Sequence, residues 1–299
     1  MKIIIAGVNG IIGTFLHIKL NLSYSIKGIG NKEDSFAEDY DSIDLTKKLS
    51  VENFVNSISK YDVLIFLVGL AHKKGKGKEI DEFRRINKQT LINLLSILDQ
   101  KKKLPEKIIF ASTISVYGEK INNNIYNEES VKEPYSPYAI TKLEAEEYLQ
   151  KEYASRSWIL RFAPVYSPDF ELNINRRTKI INYFYRVGDG TKKLSLCNLE
   201  NIGITIESII QDNVPAGVYN IADHNYYSYN DLLNYVKAKW IVPAPLIFVK
   251  SIYFIGKMIN NVFLIENMVK LISDNIFNSN KIKKYVKLSA ILGDSNNDK

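Results

Sequence analysis

The sequence predicts an α/β fold: a doubly wound parallel sheet followed by a smaller, mainly helical C-terminal part. Three observations predict it. Short unbroken apolar runs alternate with helical patterns over the first two thirds of the chain, a glycine-rich turn joins the first run to the first helix, and the pattern loosens after residue 166. Short strands that are apolar on both faces belong to parallel sheets covered by helices on both sides. Crossovers between such strands are right-handed, which gives the doubly wound arrangement.

The elements follow in order. Lys2–Ala6 reads as a buried strand and Ile11–Leu20 as a helix, then Ile26–Ile29 as a second strand. Val51–Ile58 is helical, with apolar residues at 51, 54, 55 and 58. Asp62–Val68 (DVLIFLV) is a buried strand, Glu79–Leu98 a long helix, Lys107–Ala111 (KIIFA) a strand, Pro137–Glu152 a helix and Ser157–Arg161 (SWILR) a strand. Polar, glycine-containing stretches occupy 167–177 and 188–193. Gly217–Ile221 reads as one more strand, entered from the turn Val214-Pro215-Ala216, and the tail from 223 is mostly helical. The expected division is a dinucleotide-binding domain over 1–165, with 195–222 returning to it, and a substrate-binding part over 166–194 and 223–299.

Composition narrows the function classes. The 299 residues leave room for one large α/β domain, or one with a smaller partner. With 45% hydrophobic and 24% charged residues, wholesale disorder is excluded. The net charge of +7 favours anionic partners only weakly. A single cysteine, Cys197, excludes an intramolecular disulfide and any zinc site of several thiolates, and His17, His72 and His224 lack ligand spacing, so no metal is expected. The basic clusters Lys73, Lys74, Lys76 and Lys78, and Lys101–Lys103, lack the aromatic interleaving of single-strand binders and read as solvated surface, so no nucleic-acid partner is expected. The N-terminus carries no convincing signal peptide and no run reaches ~18 uncharged apolar residues. The expectation is a cytoplasmic protein with no integral membrane segment. The apolar stretch 242–272, cut by Lys250, Lys257, Glu266 and Lys270, reads as a helical wall of the substrate part. The alternative is a membrane-surface role in which Lys250 and Lys257 meet lipid headgroups.

Two constellations carry chemistry. Gly7-x-x-Gly10-x-x-Gly13, with Asn9, Ile11 and Ile12 between the glycines, lies directly between the first strand and the first helix. Glycine permits a sharp turn, close approach to a pyrophosphate and tight helix–sheet packing, and the helix N-terminus stabilises phosphate charge, as in a Rossmann-type domain. Such folds place an acid at the end of the second strand for the adenosine ribose. Here that end reads Ile29-Gly30-Asn31-Lys32, with no acid until Glu33. Lys32 either faces a 2′-phosphate or is a solvated loop residue, so the cofactor is NAD or NADP. The second constellation is Ser112-Thr113 at a strand end and, on a helix, Tyr138 and Lys142, four residues apart on one face. An ammonium beside a phenol favours the phenolate. Tyr138 can then exchange the proton of a carbinol, with the Thr113 hydroxyl on the same oxygen.

On these residues, and on AGVNGIIG, Asp44-Leu45-Thr46, FLVGLAH (66–72), FRRIN (83–87), FASTISVYGE (110–119), SPYAITKLEAE (136–146), LRFAPVYSP (160–168), SLCNLENI (195–202) and GVYNIAD (217–223), the chain resembles the extended short-chain dehydrogenase/reductase family, in its sugar-nucleotide epimerase and reductase group. The resemblance implies that Thr113, Tyr138 and Lys142 are the catalytic trio. It implies that Gly7, Asn9, Gly10, Ile11, Ile12, Gly13, Asp44, Leu45, Leu67, Val68, Gly69, Asn87, Ala111, Ser112, Tyr138, Lys142 and Phe162 contact the dinucleotide, with Asp44 and Leu45 at the adenine. Asn87 would support the helix beside the cofactor, and Lys192 or Lys193 would serve the nucleotide. It implies a sugar-nucleotide substrate, a role in surface polysaccharide precursor synthesis, and a homodimer paired through the helices at 79–98 and 137–152. Family dehydratases carry Asp-Glu after the catalytic threonine; here Ile114-Ser115 stands there, which argues against dehydration. The readings that remain are an epimerase acting at C4, a 4-keto reductase using NADPH, and a non-catalytic dinucleotide-binding regulator.

Overall fold

The computed structural model describes residues 1–71, 80–118 and 125–293. Its centre is a seven-stranded sheet in the spatial order Gly217–Ile221, Ser157–Phe162, Lys107–Thr113, Val63–Phe66, Lys2–Ala6, Ser25–Gly30 and Tyr40–Ser42. From Lys107–Thr113 to Tyr40–Ser42 every pairing is parallel. The strands VLIF and KIIIA bury nearly every side chain because helices cover both faces. The chain runs outward from Lys2–Ala6 through Ser25–Gly30 to Tyr40–Ser42, then returns to the other side of Lys2–Ala6 with Val63–Phe66. That reversal opens a crevice at the C-terminal ends of Lys2–Ala6 and Val63–Phe66, the place where doubly wound sheets bind ligands.

The edge strand Tyr40–Ser42 is an addition to the expected elements. It has three residues and one of them is Asp41, so it offers no apolar run to read. The long helix predicted over 79–98 is observed as Ile80–Arg84, a π-helical turn Arg85–Gln89, and Thr90–Gln100. The tail is less helical than predicted. Helices Tyr229–Tyr235, Leu246–Met258 and Val262–Ile272 alternate with the short strands Tyr227–Ser228, Val242–Ala244 and Ile276–Phe277.

The chain divides into two compact units. The first comprises Met1–Val116, Ser136–Arg161 and Thr205–Tyr219. Its core includes Ile4, Phe54, Leu64, Phe66, Leu94, Ile108, Phe110, Leu149 and Ile159. The second comprises Tyr117–Tyr135, Phe162–Ile204 and the chain from Asn220 onward. Two clusters hold it together, one around Tyr166, Ile174, Leu196, Tyr227 and Leu232 and one around Tyr185, Val249, Tyr253, Ile265 and Val269. Buried Asp223 ties it further, accepting hydrogen bonds from the Tyr166 hydroxyl at 2.8 Å, the Tyr227 hydroxyl at 3.0 Å, the Asn198 N–H at 2.7 Å and the Asn201 amide at 2.8 Å. Burial still pushes its carboxyl up to about 6.

Candidate active site

Gly7 follows the first strand with φ +87°, a left-handed conformation that glycine adopts without strain. A Cβ on Gly13 would lie 2.4 Å from the Gly7 carbonyl oxygen and 2.6 Å from that of Val8, so no side chain fits between the turn and the helix. Helix Ile11–Leu20 starts at Gly10 with no side-chain cap, and Gly10 and Ile11 are exposed. Its first-turn N–H groups therefore have no capping side chain to compete with an anion. Asn9 bends toward the end of the second strand. Its amide donates to the Tyr40 hydroxyl at 3.4 Å, and its carbonyl accepts from the Ser35 hydroxyl at 2.6 Å. Tyr40 in turn donates to the Lys32 carbonyl at 2.7 Å. So the place of the usual ribose acid, at Gly30, is bordered by Tyr40 and Asn9, and a Cβ there would meet the Tyr40 hydroxyl at 3.1 Å. The Lys32 side chain is exposed.

The catalytic candidates share the first unit. Ser136 caps helix Pro137–Glu152 by accepting from the Ala139 N–H, and Pro137 occupies the first turn, where its missing N–H costs nothing. Tyr138, Lys142 and Glu146 then recur every four residues and share one face. The Tyr138 hydroxyl is hydrogen-bonded to Thr113, which ends the strand Lys107–Thr113. The Lys142 ammonium donates to the carbonyls of Val68 at 3.2 Å and Ala111 at 2.9 Å, and lies 4.6 Å from the centre of the Phe110 ring. It thus ties the loop after Val63–Phe66 to the last residues of Lys107–Thr113. Leu67 continues the ladder, donating its N–H to the Ala6 carbonyl at 2.9 Å, and Gly69 is exposed.

The expected lowering of Tyr138 is not found. Tyr138 is half-buried, and burial pushes its hydroxyl up to about 12 against the opposing hydrogen bond with Thr113. Lys142 is 3% exposed, and burial pulls it down to about 7, with Glu146 opposing. Desolvation penalises both charged forms together, and the ammonium spends its hydrogen bonds on two carbonyls.

Asn87 sits at the centre of the π-helical turn, fully buried. Its side-chain oxygen accepts the Leu70 N–H at 2.6 Å, and its amide donates to the Leu70 carbonyl at 3.3 Å and the Thr141 hydroxyl at 3.0 Å. One side chain therefore clamps the loop after Val63–Phe66 to the helix of Tyr138 and Lys142. A π-turn adds a residue to one helical turn and commonly marks functional sites.

Sequence reading missed the pair beneath the site. Glu146 and Arg161 are 0% and 1% exposed and joined by a bidentate ion pair, with Nη2–Oε2 at 2.7 Å and Nε–Oε1 at 3.1 Å. The Ser112 hydroxyl donates to the same carboxylate. An arginine inside the apolar strand SWILRF was the available signal, because a buried cation demands a partner.

Other expected residues have local duties. The Asp44 carboxylate accepts from the Thr46 N–H at 3.0 Å and hydroxyl at 2.6 Å, and these bonds hold it below the usual carboxylate range. Leu45 is in the core, and its carbonyl accepts from Asn93 at 3.0 Å. Phe162, Lys192 and Lys193 belong to the second unit; Phe162 is buried and Lys193 exposed. Buried His17 packs edge-on against Phe36 at 5.1 Å, and Cys197 is a buried free thiol. His72 and the lysines of 73–78 lie outside the described residues. Among the described residues no cluster could hold a metal ion, and no helix is long and apolar enough to cross a membrane.

A parallel sheet with its glycine turn at the switch point, and a Tyr–Lys pair at the adjoining strand ends, define a dinucleotide-binding enzyme of the short-chain dehydrogenase/reductase type. The model of the NAD dependent epimerase/dehydratase family matches residues 3–228, and the chain belongs to that family. It is 24% identical over 243 residues, 78% of this chain and 70% of the relative, to the N-acetyl-alpha-D-glucosaminyl-diphospho-ditrans,octacis-undecaprenol 4-epimerase of Escherichia coli O157:H7. It is 27% identical over 186 residues to Protein CapI of Staphylococcus aureus, spanning 56% of this chain and 55% of CapI. Among solved structures, a UDP-glucuronic acid 4-epimerase from Bacillus cereus in complex with NAD shares the fold with a TM-score of 0.72 at 21% identity, covering 97% of this chain and 92% of that one.

Proposed function

We propose that this member of the family is a sugar-nucleotide epimerase that works by transient oxidation at C4, in the cytoplasm, on a precursor of surface polysaccharide. The observation that carries the reading is the Tyr138 hydroxyl bonded to Thr113, with Lys142 one turn further along the same helix face. The 4-epimerase names of the E. coli and B. cereus proteins support C4. The lipid-linked sugar in the E. coli name supports the polysaccharide setting.

The chain's residues fit a nicotinamide dinucleotide, because Gly13 leaves no room for a side chain and the first helix begins uncapped. Gly7 to Gly13 with Asn9, Ile11 and Ile12 would take the pyrophosphate, and Asp44 and Leu45 the adenine side. Leu67, Val68, Gly69, Ala111, Ser112 and Phe162 would line the remainder, with Asn87 behind them. When bound, the dinucleotide supplies reversible two-electron oxidation of the sugar carbon. Tyr138 takes the proton of the sugar hydroxyl as the carbinol is oxidised and returns it as the ketone is reduced. Thr113 holds the same oxygen. With Tyr138 pushed up to about 12, the resting phenol is neutral and set to donate. To accept a proton it needs the charged form of Lys142 beside it, or the positive nicotinamide ring. Substrate binding would fall to 166–194 and 223–299, with Lys192 or Lys193 serving the nucleotide, and the homodimer to the helices at 79–98 and 137–152.

A 4-keto reductase is the second reading, favoured by Gly30 in place of the ribose acid. A non-catalytic regulator would have no use for the Tyr138–Lys142 pair. Mass spectrometry of the small molecules released by denaturing the purified protein separates these readings. Retained NAD is expected of an epimerase, which must return what it removes; a dinucleotide-free protein that consumes NADPH would overturn it.

A further inference from the structure

Helix Leu246–Met258 buries one face and exposes another that is just as apolar. Val249, Tyr253 and Gly256 face inward, and Gly256 permits close packing, since a Cβ there would lie 3.0 Å from the Leu264 Cβ. On the other side Ile247, Phe248, Phe254, Ile255, Met258 and Ile259 are exposed, Ile247 by 76% and Met258 by 84%. Recurring as 247, 254, 258 and 248, 255, 259, they form a stripe on one side of the helix, broken only by exposed Ser251. Trp240, 92% exposed, stands just before it on a left-handed backbone, φ +58°, which bulky residues rarely adopt. Val242, half exposed, opens the short strand Val242–Ala244 that leads into the helix. Isolated exposed apolar residues need no explanation, but a contiguous patch of this kind marks an interaction surface.

The charge around the patch selects the occupant. Between Asp231 and Glu266 the chain carries Lys237, Lys239, Lys250 and Lys257 and no acidic residue. All four lysines are exposed, and Lys250 and Lys257 flank the stripe along one edge. Pairing this face with its own copy would bring Lys250 and Lys257 against like charges, whereas an anionic surface meets both. A helix of 13 residues, about 20 Å long, is too short to span a bilayer. An apolar face, a tryptophan at its edge and lysines beside it are the make-up of a helix that lies in the headgroup region. We propose that Leu246–Met258, together with Trp240, docks this protein on an anionic lipid bilayer.

Flotation of the full chain with vesicles tests this. The wild type should float with equimolar phosphatidylcholine–phosphatidylglycerol vesicles at low salt, less at high salt, and remain behind with phosphatidylcholine alone. Ile247→Ser/Met258→Ser should reduce partitioning at least ~10-fold, the equivalent of about 1.4 kcal/mol of lost burial. Lys250→Glu/Lys257→Glu should do the same by charge, and it decides the matter should the serine variant melt lower than wild type. A wild type that ignores phosphatidylglycerol vesicles overturns the proposal. So does either variant floating like wild type, or a solution dimer that the serine variant dissociates in the absence of any vesicle binding.

Discussion

Lys142→Met should change how stability depends on pH, in a direction that follows from burial. Methionine keeps the apolar stem and removes the ammonium, leaving the carbonyls of Val68 and Ala111 without that donor. That last cost does not vary with pH. The charge does. In the folded protein Lys142 falls from 10.5 to about 7, so below pH 7 the fold carries a buried cation at a penalty of ~5 kcal/mol, at about 1.4 kcal/mol per unit. Between about 7 and 10.5 the unfolded chain binds a proton that the folded protein has released, so wild-type stability rises with pH. From pH 6 to pH 9 the wild type should gain ~2–3 kcal/mol relative to Lys142→Met. Urea unfolding of both proteins, without cofactor, at pH 6, 7, 8 and 9 measures this, and titrating groups that do not interact with Lys142 cancel in the difference. A difference that stays flat across the range would refute the burial of Lys142 as a depressed cation.

Glu146→Gln removes the bidentate carboxylate that neutralises the buried Arg161 guanidinium and should cost ~3–5 kcal/mol, lowering the melting temperature by roughly 6–15 °C. Glu146→Leu/Arg161→Met should recover most of it by calorimetry; a single-variant loss under ~1 kcal/mol would mean that water reaches the pair. Cofactor choice is testable at Gly30, where the new Cβ would press on the Tyr40 hydroxyl, so Gly30→Asp is best made with Tyr40→Phe. Wild type should distinguish NAD from NADP by less than ~10-fold, and the double variant should shift toward NAD. A wild type preferring NAD by more than ~100-fold would show that another group reads the ribose.

The central sheet was legible because its strands are buried on both faces and read as apolar runs. The edge strand Tyr40–Ser42 was not, and with it went Tyr40, which borders the ribose end at Gly30. Periodicity could place the long helix but not the π-turn around Asn87, because one added residue does not disturb an apolar stripe. The Tyr138–Lys142 spacing was legible as a shared helix face. The direction of their titration was not, because desolvation depends on what encloses a group and no spacing reports that. The apolar stretch at 242–272 was legible as amphipathic helix, yet one face and its partner could not be told from the other until burial assigned Val249 and Tyr253 inward and Ile247 and Met258 outward.

The role of Tyr138 as acid–base group is measured by the turnover ratio of wild type to Tyr138→Phe, followed by proton NMR of epimer formation at C4 across a panel of UDP-hexoses. The variant lacks only a hydroxyl and should keep its fold and its dinucleotide. Turnover of every accepted sugar should fall by at least ~10²-fold, as for loss of a positioned acid–base group. A Tyr138→Phe protein that epimerises any sugar at the wild-type rate would contradict that role.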